Sequence, residues 1–393
     1  MKRSNKCLTF LAGWLMAAAA HGQPVHRFPV TYYGEQIFIP VCVGEGKDTL
    51  QFVWDTGMNN TYIDSAAAAK TGVKVTGSTQ SAGVVGSSNF GLAEDQVLKI
   101  SSATLPPHRL SISNFSALSA ATGKRIDGII GNQLNHQFIV WLDLDNLVME
   151  LYRDFESVPS EKKGERFAFT FNQYIPVPEF NCKIRLKNGN EYTAPFLFDT
   201  GGGGITATMG GAFTGSNKLL DQLGKTYTRP IRGLTGAGSL QVAAIESFFL
   251  GAHQFSDLTA TFTPPGGSGV SSFGNILGNE LIYRFNILLN YPSLELYLLP
   301  NTRYKDAFPF PLSTINVAMQ DTRKIITSVS PGSEAEQSGL VPGDEIVTIN
   351  DYWGSDLDHI RSLLRKEGSR VSVVARDKSG AEKKVQFTPR RLL

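Results

Sequence analysis

Two copies of one short pattern constrain this chain more than any other feature. An apolar run, Phe52-Val53-Trp54, delivers the triplet Asp55-Thr56-Gly57, and a second, Phe196-Leu197-Phe198, delivers Asp199-Thr200-Gly201. Each triplet is followed by an apolar-apolar-Gly-Asn element, Ile129-Ile130-Gly131-Asn132 and Ile276-Leu277-Gly278-Asn279, whose glycine falls 76 and 79 residues after the acid. Self-similarity at nearly fixed spacing marks a duplicated structural unit. Each unit carries one acid at the end of a run that reads as a buried strand.

The length of 393 residues predicts two or three domains, and 41% hydrophobic content is enough to fill real cores. Glycine and phenylalanine are plentiful and long helical patterns are few, which favours strands and turns. A net charge of +2 is too small to argue for a nucleic-acid partner. The basic start Met1-Lys2-Arg3, the apolar residues 8–20 and the small residues of Ala20-His21-Gly22 predict a signal peptide over 1–22. The apolar stretch is too short to span a bilayer comfortably. We therefore expect an exported chain, periplasmic or extracellular, with no stable membrane insertion after cleavage; an uncleaved anchor is the alternative.

Cleavage would leave Cys42 and Cys182, each shortly before one acid. Equivalent strands of two lobes would hold them apart, and a bridge needs Cα atoms roughly 4.4–6.8 Å apart. Two free thiols are expected, with a disulfide as the alternative. The six histidines show no metal spacing, so neither metal nor cofactor is expected. Gly201 to Gly204 lacks the Gly-Lys-Ser/Thr of a phosphate loop, and no Gly-x-Ser-x-Gly occurs.

Along the chain, residues 37–43 and 50–54 read as strands, 65–70 as a short helix and 147–152 as a closing strand of a first lobe, residues 28–152. Charged residues around Pro159 make 153–166 a solvated linker. A second lobe, 167–299, repeats the plan with strands over 177–186 and 196–198, joined at an Asn188-Gly189 turn. Residues 300–311 read as another linker. The remainder, 312–387, has strands over 325–329, 371–374 and 385–387. Its helix puts Leu357, Ile360, Leu363 and Leu364 on one face, with Ser355 as the expected cap.

Two acids brought together cannot both ionise freely, so the pair holds a shared proton. The charged member can take a proton from water while the neutral member donates to a carbonyl oxygen, hydrolysing an amide without a metal or a covalent intermediate. Gly57 and Gly201 allow a tight turn beside the acid. Thr56 and Thr200 supply short hydroxyls that can fix it. The same triplet as a plain β-turn is the alternative for either copy alone.

These paired elements resemble the pepsin and retropepsin superfamily of aspartic proteases, most closely bacterial retropepsin-like proteases with both lobes in one chain. The resemblance implies a mainly β, bilobal pepsin-like fold of two duplicated β-barrel-like lobes with a cleft between them. It implies Asp55 and Asp199 as the catalytic pair, Thr56 and Thr200 interlocking the lobes, and Gly131 and Gly278 letting the chain pass beside the catalytic loops. A peptide or unfolded protein would be the substrate, and one monomer would suffice. Pepsins usually carry a hydroxyl residue directly after the triplet; Met58 and Gly202 stand there instead. Fewer donors to the ionised form predict a pH optimum nearer neutral. Gly-rich residues 81–91 and 231–238 occupy the flap positions without the usual tyrosine.

The run Ser330-Pro331-Gly332-Ser333-Glu334-Ala335 through Gly339-Leu340-Val341-Pro342-Gly343-Asp344-Glu345-Ile346 resembles the PDZ signature. That implies a small α+β domain holding an extended peptide between a strand near residues 315–319 and the helix over 357–364. Pro311-Leu312-Ser313-Thr314-Ile315 replaces the glycine-rich carboxylate loop of that family. The alternative function is a peptide-binding scaffold that kept a protease fold without turnover. An obligate dimer is disfavoured because one chain supplies both acids.

Overall fold

The apolar runs ahead of the two triplets form the strands Leu50–Trp54 and Glu191–Phe198. The residues nearest each acid are buried on both faces, which is why they read as continuous apolar runs rather than alternation. Each strand lies parallel to a short strand built from the second repeated element, Gly128–Ile130 or Asn275–Leu277. That short strand runs antiparallel to Thr61–Asp64 or Ala207–Met209. These in turn lie parallel to His108–Ser113 or His253–Phe262. The same wiring thus occurs twice, and the duplication read from the motifs is a duplication of topology.

The computed structural model describes residues 23–393 apart from 84, 85, 234, 267–271 and 273; the expected signal segment lies outside the described residues. The protein is mainly β. In the second repeat, pairing of Pro178–Arg185 with Ala237–Leu250 closes the strand order on itself. The ten-stranded sheet of the first repeat has no such closing pair among the described residues. A six-stranded antiparallel sheet takes three strands from each side of residue 160 and joins the two repeats, with Ile139–Asp143 beside Phe285–Asn290 in the register Val140↔Leu289 and Leu142↔Ile287. Trp54, Phe198, Leu142 and Leu289 all belong to one continuous buried core.

Both segments read as linkers are more built than expected. Residues 153–166 run into the strand Glu165–Ala168, which pairs with Glu295–Pro300. Val158 is buried, and the Lys162 ammonium donates to Glu150 and Tyr152. The partner strand lies some 130 residues downstream, so the local sequence carries no sign of the pairing. Residues 300–311 are pinned by the Arg284 guanidinium, which donates to the carbonyls of Tyr304 at 3.1 Å and Asp306 at 2.5 Å.

The C-terminal domain has its own core around Ile326, Ile346, Leu357 and Val373. Its five strands run in the order Ile315–Gln320, Arg323–Val329, Glu345–Ile349, Val371–Arg376, Glu382–Phe387. Leu357–Leu364 is a helix that buries Leu357, Ile360 and Leu364. Asp356, not Ser355, caps it, accepting from the Asp358 and His359 amides at 2.9 and 3.3 Å. Either residue suits a cap; the carboxylate makes the stronger, charge-assisted bonds. Cys42 and Cys182 are free thiols, as expected, although Cys42 is only half-buried.

Candidate active site

Asp55 and Asp199 stand where their strands end. The amide of each donates to the parallel neighbour, Asp55 to the Ile130 carbonyl at 3.0 Å and Asp199 to that of Leu277 at 3.2 Å. Each then turns back on itself: the Gly57 amide donates to Asp55 Oδ1 at 2.8 Å, and the Gly201 amide to Asp199 Oδ1 at 2.9 Å. The turns need glycine, because a Cβ on Gly57 would meet the Asp199 carboxyl at 2.6 Å, and one on Gly201 would collide with the carboxyl of Asp55. Each carboxyl thus stands directly against the other acid's turn.

The threonines lace the loops together. Thr56 Oγ1 donates to the Phe198 carbonyl at 2.5 Å and accepts from the Thr200 amide at 3.1 Å. Thr200 Oγ1 donates to the Trp54 carbonyl at 3.0 Å and accepts from the Thr56 amide at 2.9 Å. Both side chains are fully buried, so each hydroxyl satisfies a donor and an acceptor that water cannot reach. Gly131 and Gly278 admit the chain beside these loops. A Cβ on Gly131 would collide with the carbonyl oxygens of Met58 and Asn60, and one on Gly278 with that of Ile205.

Burial and then the charge of Asp199 hold Asp55 well above the usual carboxylate range. Burial raises Asp199 as well, while the Gly201 amide and a hydrogen bond from Asp55 pull it back down. The pair therefore retains one shared proton to higher pH than free carboxyls. No Ser or Thr hydroxyl donates to either carboxylate among the described residues; the amides of Met58 and Gly202 donate to the backbone carbonyls of Asp55 and Asp199, at 3.3 and 3.2 Å. Such a pair can act as base and acid at once.

The cleft above the acids encloses about 530 Å³. Its apolar walls come in equivalent pairs, Val53 with Leu197 and Ile129 with Ile276. Two hairpins cover it, Gly77–Ala82 with Ser87–Gln96 and Thr226–Arg232 with Ala237–Leu250. Their tips meet, Ser88 Oγ donating to the Thr235 carbonyl at 3.2 Å. Sequence reasoning located these hairpins but missed the tether of the first: Tyr62, on the strand after the first triplet, donates to Ser81 Oγ at 3.0 Å.

Other residues at the site were given no role by the sequence reading. Tyr283 and Asn279 both donate to the Thr200 carbonyl, at 3.0 and 2.8 Å, and Asn279 also to that of Glu35 at 2.7 Å. The repetition of Asn after each repeated glycine was the available hint, but Asn132 does something different, accepting from Tyr291 at 2.5 Å. The C-terminal domain also reaches the cleft, through Asn316, Asp358, Arg361 and Arg365. No group of three or more potential metal ligands occurs among the described residues.

Residues 39–134 match the family model described as aspartyl protease, a span that holds Asp55 and Gly131. Residues 325–377 match the PDZ domain model. A stretch of 78 residues is 40% identical to the carboxy-terminal processing protease CtpB of Bacillus subtilis (strain 168). That similarity covers 19% of this chain and 16% of the relative.

Proposed function

We propose that the chain is an aspartic-type endopeptidase in which Asp55 and Asp199 hydrolyse peptide bonds of extended or unfolded polypeptides. The observation that carries this reading is the pair of Asp-Thr-Gly loops, cross-laced through Thr56 and Thr200, that sets two facing carboxyls on the floor of an apolar cleft. The ionised carboxylate takes a proton from water, whose oxygen attacks the peptide carbonyl carbon. The protonated partner gives its proton to the carbonyl oxygen. Collapse of the tetrahedral species returns a hydroxyl proton to the partner carboxylate and breaks the C–N bond, and the amine leaves with the proton that the base took up. One chain supplies both acids, so a monomer suffices, in a bilobal pepsin-like unit. The PDZ domain would bind substrate or partner peptides by strand addition. Export to the periplasm or beyond rests on the character of residues 1–22 alone.

The test is cleavage of a denatured protein across pH, with and without pepstatin. The expected result is pepstatin-sensitive cleavage, abolished by Asp199→Asn, with a basic limb extending toward neutral pH. Cleavage that survives Asp199→Asn would remove the two-acid mechanism. A profile peaking below about pH 3 would remove the argument from the missing hydroxyls.

A further inference from the structure

The strand Ile315–Gln320 lies at the end of its sheet, so one row of its backbone groups has no strand partner. The helix Ser116–Thr122 of the first lobe lies against it, on the side that the helix Leu357–Leu364 flanks. Arg361 closes the contact, donating to the carbonyls of Ala121 and, at 3.1 Å, Thr122. These are carbonyls a helix C-terminus leaves unpaired. Gly123, which ends that helix, sits so tightly on Leu357 that a Cβ there would meet it at 2.7 Å. Three more contacts hold the same face. The Gly34 amide donates to Asp358 Oδ2 at 2.6 Å, Tyr33 Oη donates to Asp356 Oδ1 at 3.1 Å, and Arg365 pairs with Glu35 at 2.8 Å. The place where a PDZ domain receives its peptide is thus filled by the chain's own first lobe.

Two observations say what could displace it. No backbone group of Ile315–Gln320 bonds to the first lobe among the described residues. A helix cannot satisfy a strand edge, whereas an extended peptide can. The donors that would hold a terminal carboxylate are also already used. The Ser313 amide donates to the Arg390 carbonyl at 2.8 Å, the Thr314 amide donates to Ser330 Oγ at 3.1 Å, and Leu312 bridges Arg391. The groove therefore suits an internal extended segment better than a chain end.

We propose that the C-terminal domain is a peptide-displaced gate: an internal extended segment adds to Ile315–Gln320, expels the helix Ser116–Thr122 from the groove and withdraws the face carrying Asp358, Arg361 and Arg365 from the substrate cleft. The groove half of this inference stands apart from hydrolysis; the cleft half rests on the proposed protease function.

The experiment measures binding of a fluorescent decapeptide library, in amidated and free-acid forms, to the full chain carrying Asp55→Asn so that peptides stay intact. Two undocking variants are compared with that parent, Arg361→Ala/Arg365→Ala and, through a separate set of contacts, Tyr33→Phe/Asp358→Ala. Apparent affinity scales with the open fraction, so both variants should bind amidated peptides at least about tenfold more tightly than the parent. Equal affinity in all three, binding confined to free acids, or no binding by any form overturns the gate. A chain with Asp55 restored that binds as expected yet cleaves nothing leaves the gate standing and removes the protease reading instead.

Discussion

At the scale of single residues the site opposes stability to chemistry. Asp55 is a carboxyl buried against another carboxyl, and its pKa in the fold lies above its unfolded value. Such a group keeps its proton in the fold to higher pH than in the unfolded chain. Above the folded value both acids are charged and the fold carries the full penalty. As pH falls through that value the proton binds and the penalty disappears, and below the unfolded value nothing further changes. Asp55→Asn removes the charge but keeps the shape. It should lower cleavage by roughly 10²–10⁴-fold, yet melt a few degrees higher than the parent at pH 8, with the gain shrinking toward acid. Thr56→Val should do the reverse to stability. It leaves the buried Phe198 carbonyl and Thr200 amide without partners, at roughly 1–3 kcal/mol for each orphaned group. Thermal melts of the two variants at pH 8 and about pH 5 should move in opposite directions from the parent.

At the scale of elements, what was legible in the sequence was what is local. The strands that end in the two triplets, the helix Leu357–Leu364 and the turn after Leu186 all announce themselves within a few residues. The strand Glu165–Ala168 does not, since its pairing with Glu295–Pro300 is settled by a distant segment and its own residues look like a charged linker. The repeated glycines lie between these cases. The sequence marks Gly131 by its repetition at Gly278, but only the packing shows that backbone carbonyls leave no room for a Cβ. Gly131→Ala must push apart the segment that accepts the Asn132 amide at Met58 and the strand that accepts the Asp55 amide at Ile130. It should cost roughly 1–3 kcal/mol and lower kcat more than it raises KM, because it misplaces Asp55 rather than the cleft walls. Gly224→Ala, where a Cβ meets nothing, is the control and should fall within about 0.5 kcal/mol of the parent by urea unfolding.

At the scale of the whole molecule the two repeats and the C-terminal domain meet around Glu280, and none of this junction was readable in advance. Docking of one domain on another leaves no periodicity, and Glu35, Arg229 and Arg365 look like ordinary surface charges until they converge. Glu280 accepts from Thr206 Oγ1 at 2.5 Å. Burial, then the charge of Glu35, pushes its carboxyl up to about 7, against the pull of Thr206, Arg229 and Arg365. The sign follows as for Asp55, but over a stated window. Below the unfolded value of 4.5 the folded and unfolded chains both hold the proton. Between there and about 7 only the fold holds it, so stability falls as pH rises, and above about 7 the loss is complete. Glu280→Gln keeps an acceptor for Thr206 and never ionises. It should raise the melting midpoint by roughly 2–4 °C at pH 8 and leave it unchanged at pH 4. A gain of equal size at both pH values would mean that the charge at the junction costs nothing and that glutamine merely packs better.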